Sequence, residues 1–246
     1  MTFLIATSAL AILAVAKQQP APAAPIFHDQ LACAPMSLAA PPAGGIRIVG
    51  GYQHGRLMFG PGDPLVIDVG SSQGIRTGQV YFVRRHVRDE FTLSWTDSRP
   101  VSIHTTGWVT IVEVREYTAV AQVTHSCDGM VVGDYLEPYV DPVEPPPAVQ
   151  GDPDYEHAGR VVMGDDRHQM GSEGSLMLVN RGSDHEVRAG QTVTIFRDTL
   201  GGAGPFFTVG RATVLSVRPQ TSLVRIDNSR EAVYIGDRVA INRITR

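Results

Sequence analysis

The feature that most constrains this chain is an internal duplication. VGSSQGIRTGQVYFVRR at 69–85 matches RGSDHEVRAGQTVTIFR at 181–197 at an offset of 112, which aligns Gly70 with Gly182, Arg76 with Arg188, Gly78 with Gly190 and Gln79 with Gln191. TGWVTIVEVREYTAVAQV at 106–123 then matches VGRATVLSVRPQTSLVRI at 209–226, and VVGDYL at 131–136 matches YIGDRV at 234–239, both at an offset of 103. A unit that recurs in this way is one supersecondary module present twice, with nine extra residues between the matched blocks of the first copy.

Within each copy the pattern is that of strands. In the first, 65–69, 79–85, 107–115 and 119–124 are short, rich in Val, Ile, Thr and Tyr, partly alternating, and separated by Gly, Pro, Asn or Asp. No convincing helical period exceeds two turns. The shared order is strand, glycine turn around Gly70 and Gly78 (Gly182 and Gly190), strand, long hairpin, strand, Gly133-Asp134 turn (Gly236-Asp237) and closing strand. Five or six short strands do not cover both faces of an open sheet, so each copy is expected to curl into a small barrel. The expected fold class is therefore all-β, two tandem small β-barrel repeats joined by a Pro-rich acidic linker.

Composition sets the boundaries. The stretch 141–156, DPVEPPPAVQGDPDYE, is rich in proline and carboxylates and has no basic residue, and reads as a stiff linker of polyproline type. Residues 17–45 form a Pro/Ala-rich leader, 46–140 the first repeat and 157–246 the second. Residues 1–16 read as a secretory signal: an apolar run from Phe3 ends in Ala14-Val15-Ala16, is too short to span a bilayer comfortably, and lacks a basic residue ahead of it. No later apolar run has spanning length, so no stable transmembrane segment is expected after cleavage, and the mature chain is expected in the periplasm or secreted. The net charge of -4, with Lys17 the only lysine, gives no basic tract for nucleic acid.

The Gly-x-Ser-x-Gly pattern at 70–74 raises the possibility of a serine nucleophile at Ser72. A nucleophile elbow needs a strand running into a helix, whereas here Ile-Arg-Thr-Gly leads into another strand. The second copy keeps the turn glycines but replaces Ser72-Gln73-Gly74 with Asp184-His185-Glu186, so the segment reads as a turn and no catalytic residue is expected.

The two cysteines, Cys33 and Cys127, are expected to form a disulfide in an exported chain. Cys33 lies in LACAP, a lipobox-like string, but prolines and polar residues separate it from the apolar run. The position matching Cys127 in the second copy is Arg230, so the bridge stands outside the repeated fold and would tie the leader to the first barrel, leaving the second barrel independent of it. The eight histidines show no metal-ligand spacing; Asp165-Asp166-Arg167-His168 is the densest candidate but reads as an exposed hairpin, and neither metal nor cofactor is expected. GGAG at 201–204 lacks the helix a phosphate loop requires. The longer hairpin of the first copy carries Phe91 and Trp95, a candidate binding element on a rigid scaffold.

AGRVV (158–162), LVNRGSDHEVRAGQTVTIFRD (178–198), VGRATVLSVRPQTSLVRI (209–226) and IGDRV (235–239) resemble the β-rich region that follows peptidoglycan-binding LysM modules in exported bacterial proteins. The same glycine and turn pattern resembles the C-terminal domain of the flagellar assembly protein T family. These resemblances imply a non-enzymatic cell-envelope role, with peptidoglycan or another envelope protein as partner, and supply no catalytic residues. The rival expectations are an accessory subunit of a flagellum-like appendage and a secreted serine hydrolase using Ser72.

Overall fold

The computed structural model describes residues 28–243 apart from 39, 41, 43, 54, 88–100, 149–150, 166–167 and 199–204. A short helix α1 (His28–Cys33) and strand β1 (Met36–Leu38) form the leader. The first copy comprises β2 (Ile46–Gly51), β3 (Met58–Phe59), β4 (Pro64–Ile67), β5 (Val80–Val87), β6 (Val101–Val114), β7 (Ala119–Ser126), β8 (Met130–Val131) and β9 (Tyr135–Pro138). The second comprises β10 (Asp152–Gly164), β11 (Met170–Gly171), β12 (Leu176–Val179), β13 (Thr192–Asp198), β14 (Phe206–Val217), β15 (Ser222–Ser229), β16 (Val233–Tyr234) and β17 (Arg238–Arg243).

Both copies close into six-stranded antiparallel barrels. The first runs β2-β4-β7-β6-β5-β9 and returns to β2 through Ile46↔Leu136. The second runs β10-β12-β15-β14-β13-β17 and returns to β10 through Val161's neighbours Gly159↔Val239 and Arg160↔Arg238. Closure removes free sheet edges. The two-stranded ribbons β3-β8 and β11-β16 occupy equivalent places.

Alternation along each strand sorts the side chains. Tyr81 and Val83 point into the first core while Phe82 and Arg84 point out; Val193 and Ile195 point into the second while Thr194 and Phe196 point out. The two cores use different residues at matched positions. Phe59 of the first has Gly171 as its counterpart, and the space is taken up by Met177 and Ile226, whose atoms a Cβ at Gly171 would meet at 3.1 Å. Register shifts recur too: Thr106 opposite Val83/Arg84 is matched by Val209 opposite Ile195/Phe196, and Val112 by Leu215. Bulges of this kind bend strands and permit tight closure.

The stretch 141–156 is not all linker, because β10 begins at Asp152. The acidic residues that read as linker have partners on the barrel: Asp154 Oδ2 lies 3.1 Å from Arg243 Nε, and Glu144 Oε1 accepts from Arg225 Nη1 at 2.6 Å. Among the described residues no helix is long and apolar enough to cross a membrane.

Candidate binding cleft at the junction of the barrels

The leader is held between the two barrels. On one side Ala32 packs with Phe82, Trp108 and Tyr139 of the first barrel, and the Cys33–Cys127 disulfide (Cα–Cα 5.6 Å) fixes α1 there. β1 extends the first barrel's sheet by pairing Met36 with Ile103. On the other side Leu31 and Ala34 pack on Val162, Leu176, Leu178, Leu215 and Leu223 of the second barrel, and the Ser37 and Thr221 hydroxyls hydrogen-bond while buried. The expectation that the bridge concerns the first barrel alone is thus too narrow. At the contact the leader sets Leu31 and Ala34 against a leucine surface on the outside of β12, β14 and β15.

A cleft of about 400 Å³ opens along this junction, lined by Leu31, Phe82, Leu178, Leu215 and Leu223 on its apolar walls and by Arg84, Glu137 and Arg218 at its polar end. Arg84 is nearly buried; it donates to the Thr105 hydroxyl, and its Nε lies 3.4 Å from Glu137 Oε2 without hydrogen-bond geometry. Burial holds the Arg84 guanidinium below its usual range, Glu137 opposing and Arg218 adding to the shift. Burial, reinforced by Glu137, pushes the Tyr135 phenol up to about 12. The recess combines a greasy wall with convergent charged groups, the composition of a binding site rather than of a core.

His28 closes one end of α1. Its Nε2 hydrogen-bonds Asp141 and its Nδ1 lies 3.4 Å from Asp29, and these two carboxylates, Asp141 first, raise its pKa. Next to the bridge, the Trp108 indole stacks on His125 with ring centroids 4.2 Å apart at 9°.

Sequence-level candidates fall as follows. Ser72 sits in a 3₁₀ turn, Ser71–Gln73, that leads to β5, and its hydroxyl is 2.7 Å from both the Glu116 carbonyl and Gln73 Oε1. The equivalent turn Ser183–His185 is the same shape. Gly70 and Gly182 are required by close approach: a Cβ would stand 2.3 Å from the Arg115 carbonyl oxygen and 2.1 Å from that of Arg218. Gly78, Gly133, Gly190 and Gly236 adopt left-handed backbone at φ 86°, 96°, 83° and 99°. His168 Nδ1 hydrogen-bonds the Asp165 carbonyl at 2.9 Å within its own turn; Asp166 and Arg167 lie outside the described residues. Among the described residues Cys33, His125 and Cys127 bring ligand atoms within 4.8 Å of one another, but the two sulfurs are bonded to each other. Phe91, Trp95, the signal 1–16 and GGAG at 201–204 also lie outside the described residues.

One duplicated network was within reach of the alignment and not read as an interaction. Arg85 Nε and Nη2 donate to the two oxygens of buried Asp134 at 2.8 Å each, and Nη2 also to the Gly129 carbonyl. Arg197 does the same to Asp237 at 2.7 and 2.8 Å and to the Ala232 carbonyl. Each aspartate also caps a backbone amide, Val131 or Tyr234, of the Gly-Asp turn. The signal was that Arg85 and Arg197 match at the first offset while Asp134 and Asp237 match at the second.

Comparison with known proteins finds no matching family model and no matching curated protein.

Proposed function

We propose that this chain is an exported, non-catalytic scaffold or binding module of the cell envelope, with its partner seated at the junction of the barrels. The observation that carries this reading is the Cys33–Cys127 bridge, which clamps the leader between two closed barrels beside an apolar cleft. Bridges of this kind persist in oxidising compartments. The apolar run ending at Ala16 and the resemblance of the second copy to regions that accompany LysM modules support the same setting. The junction offers a partner both kinds of contact, an apolar wall and polar groups that include Arg84, Arg218, Glu137 and Asp141. The test is twofold. The mass of the exported chain should place its N-terminus at Lys17 or in the following Ala-Pro stretch, and the purified protein should co-sediment with peptidoglycan sacculi or with a detergent-extracted envelope complex. Uncut protein retained in the cytoplasm, or no retention on either envelope fraction, overturns the proposal.

A further inference from the structure

The duplication creates two matched pairs of surfaces, of which the chain itself uses only one. The side of the first barrel formed by β5, β6 and β9 faces the second barrel's β10-β12-β15-β14 side, with the leader between them: Phe82, Arg84 and Glu137 line the same cleft as Leu178, Leu215 and Leu223, and the Ser102 hydroxyl lies 3.7 Å from Met163 Sδ. The contact is heterologous, one side of a barrel against the opposite side of its twin.

The counterparts of both sides lie elsewhere on the molecule. At the aligned positions of β4, β6 and β7 the first barrel carries Val66, Val112 and Val120 where the second has Leu178, Leu215 and Leu223, and Val49, the register-shift residue of β2, stands where β10 has Val162. The apolar character is kept. The burial is lost at two of the four: Leu215 is 4 % exposed beneath the leader, whereas Val112 is 45 % and Val49 50 % exposed, while Val120 stays buried. Both valines are the outward-pushed residues at register shifts, so they project from the barrel wall. On the second barrel, the counterpart of the β5-β6-β9 side is β13-β14-β17, and its Phe196 and Phe206 pack with Tyr155 from the start of β10, which pairs with β17. Tyr155, Phe196 and Phe206 meet pairwise with centroids 4.9 Å apart, and the Arg238 guanidinium lies over Phe196. Phe206 occupies the position of Ile103, which pairs with Met36 of β1 in the first barrel, and is itself 41 % exposed.

We propose that the aromatic side of the second barrel docks on the valine side of the first barrel of another copy, repeating between molecules the contact made within one. The bulky Phe206 and Tyr155 rings supply between molecules the apolar filling that Leu31 and Ala34 supply within one. A heterologous contact that does not close gives a linear stack, so the chain builds a row of barrels two at a time. This deepens the scaffold reading, on which it rests for its biological setting, by naming a second copy as partner.

The test is sedimentation velocity on the full chain with its bridge intact, across a rising concentration series, for the wild type, Val112→Arg and Phe206→Arg. Circular dichroism and a thermal transition establish that each variant is folded; both positions are exposed. The wild type is expected to form species larger than dimers with concentration, and each variant to weaken self-association by about tenfold or more. Val112→Arg keeps the aromatic side and Phe206→Arg keeps the valine side, so an equimolar mixture should form a dimer and nothing larger, while neither variant does so alone. A wild type that stays monomeric throughout, a folded single variant that assembles as the wild type does, or a mixture that fails to dimerise overturns the proposal. Retention on envelope fractions does not enter this readout, so failure of the scaffold reading and failure of stacking are told apart.

Discussion

Breaking the Cys33–Cys127 bridge should destabilise both barrels, unequally. The cysteines are 94 residues apart in sequence. Cross-linking a loop of that size removes chain entropy from the unfolded state worth about 4–5 kcal/mol at room temperature, less any strain in the folded state. If the leader couples the barrels into one unfolding unit of roughly 200 residues, each kcal/mol moves the midpoint by about 2–4 °C, giving a drop of about 8–20 °C. The first barrel loses the bridge itself and the seat of Ala32 on Phe82 and Trp108; the second loses the cover that Leu31 and Ala34 give to Leu178, Leu215 and Leu223. Differential scanning calorimetry of the bridged protein against Cys127→Ser measures the drop. Hydrogen exchange in peptides spanning β12, β14 and β15 reports whether the leucine surface is uncovered. A shift below about 3 °C is far under the loop-closure figure and would refute the entropic argument. Unchanged exchange in all three strands would refute the coupling of the leader to the second barrel.

Gly70→Ala should cost about 2 kcal/mol or more, because its Cβ meets the Arg115 carbonyl oxygen at 2.3 Å, whereas Gly74→Ala, with open space but φ of 85°, should cost about 1 kcal/mol; urea unfolding compares the two. Arg85→Ala should cost about 2–4 kcal/mol by leaving buried Asp134 without its bidentate partner, and Asp128→Ala, at the exposed end of the same network, under about 1 kcal/mol by thermal unfolding. The His28 contact is pH-dependent with a defined sign: because Asp141 raises the folded pKa, the stabilisation is full below the unfolded value near 6.5 and is lost as pH rises through the folded one. Amide protection factors in α1, corrected for the intrinsic base-catalysed rate, should therefore fall from mildly acidic to mildly alkaline pH, and Asp141→Asn should flatten that dependence.

The barrels were legible in the sequence because the duplication tied each strand to a twin. Val83 and Ile195, Ile111 and Val214, Val123 and Ile226 fall in register and point the same way. The Cys33–Cys127 bridge was legible from the count of two cysteines together with the expectation of export. The seat of the leader was not, since Ala32 and Ala34 look like the rest of a Pro/Ala-rich stretch and their partners lie far along the chain. One clue was present: LMLV in β12 is apolar at every residue and buried at every residue, the mark of a strand covered on both faces, where alternation marks a strand wet on one. The Arg85–Asp134 pair was hidden because its partners fall in blocks aligned at different offsets, so the matching columns did not suggest that they touch.

The place of the leader also sets an order in time. A polypeptide emerges N-terminus first, so Cys33 waits for Cys127 and can be joined to it while the second copy is still being made. Leu31 and Ala34 have no surface to lie on until Leu215 and Leu223 of the last-made barrel have folded. A leader fastened to the first barrel in that interval has its apolar side uncovered, ready to receive the later barrel. The covalent bond can thus form before the packing it holds in place.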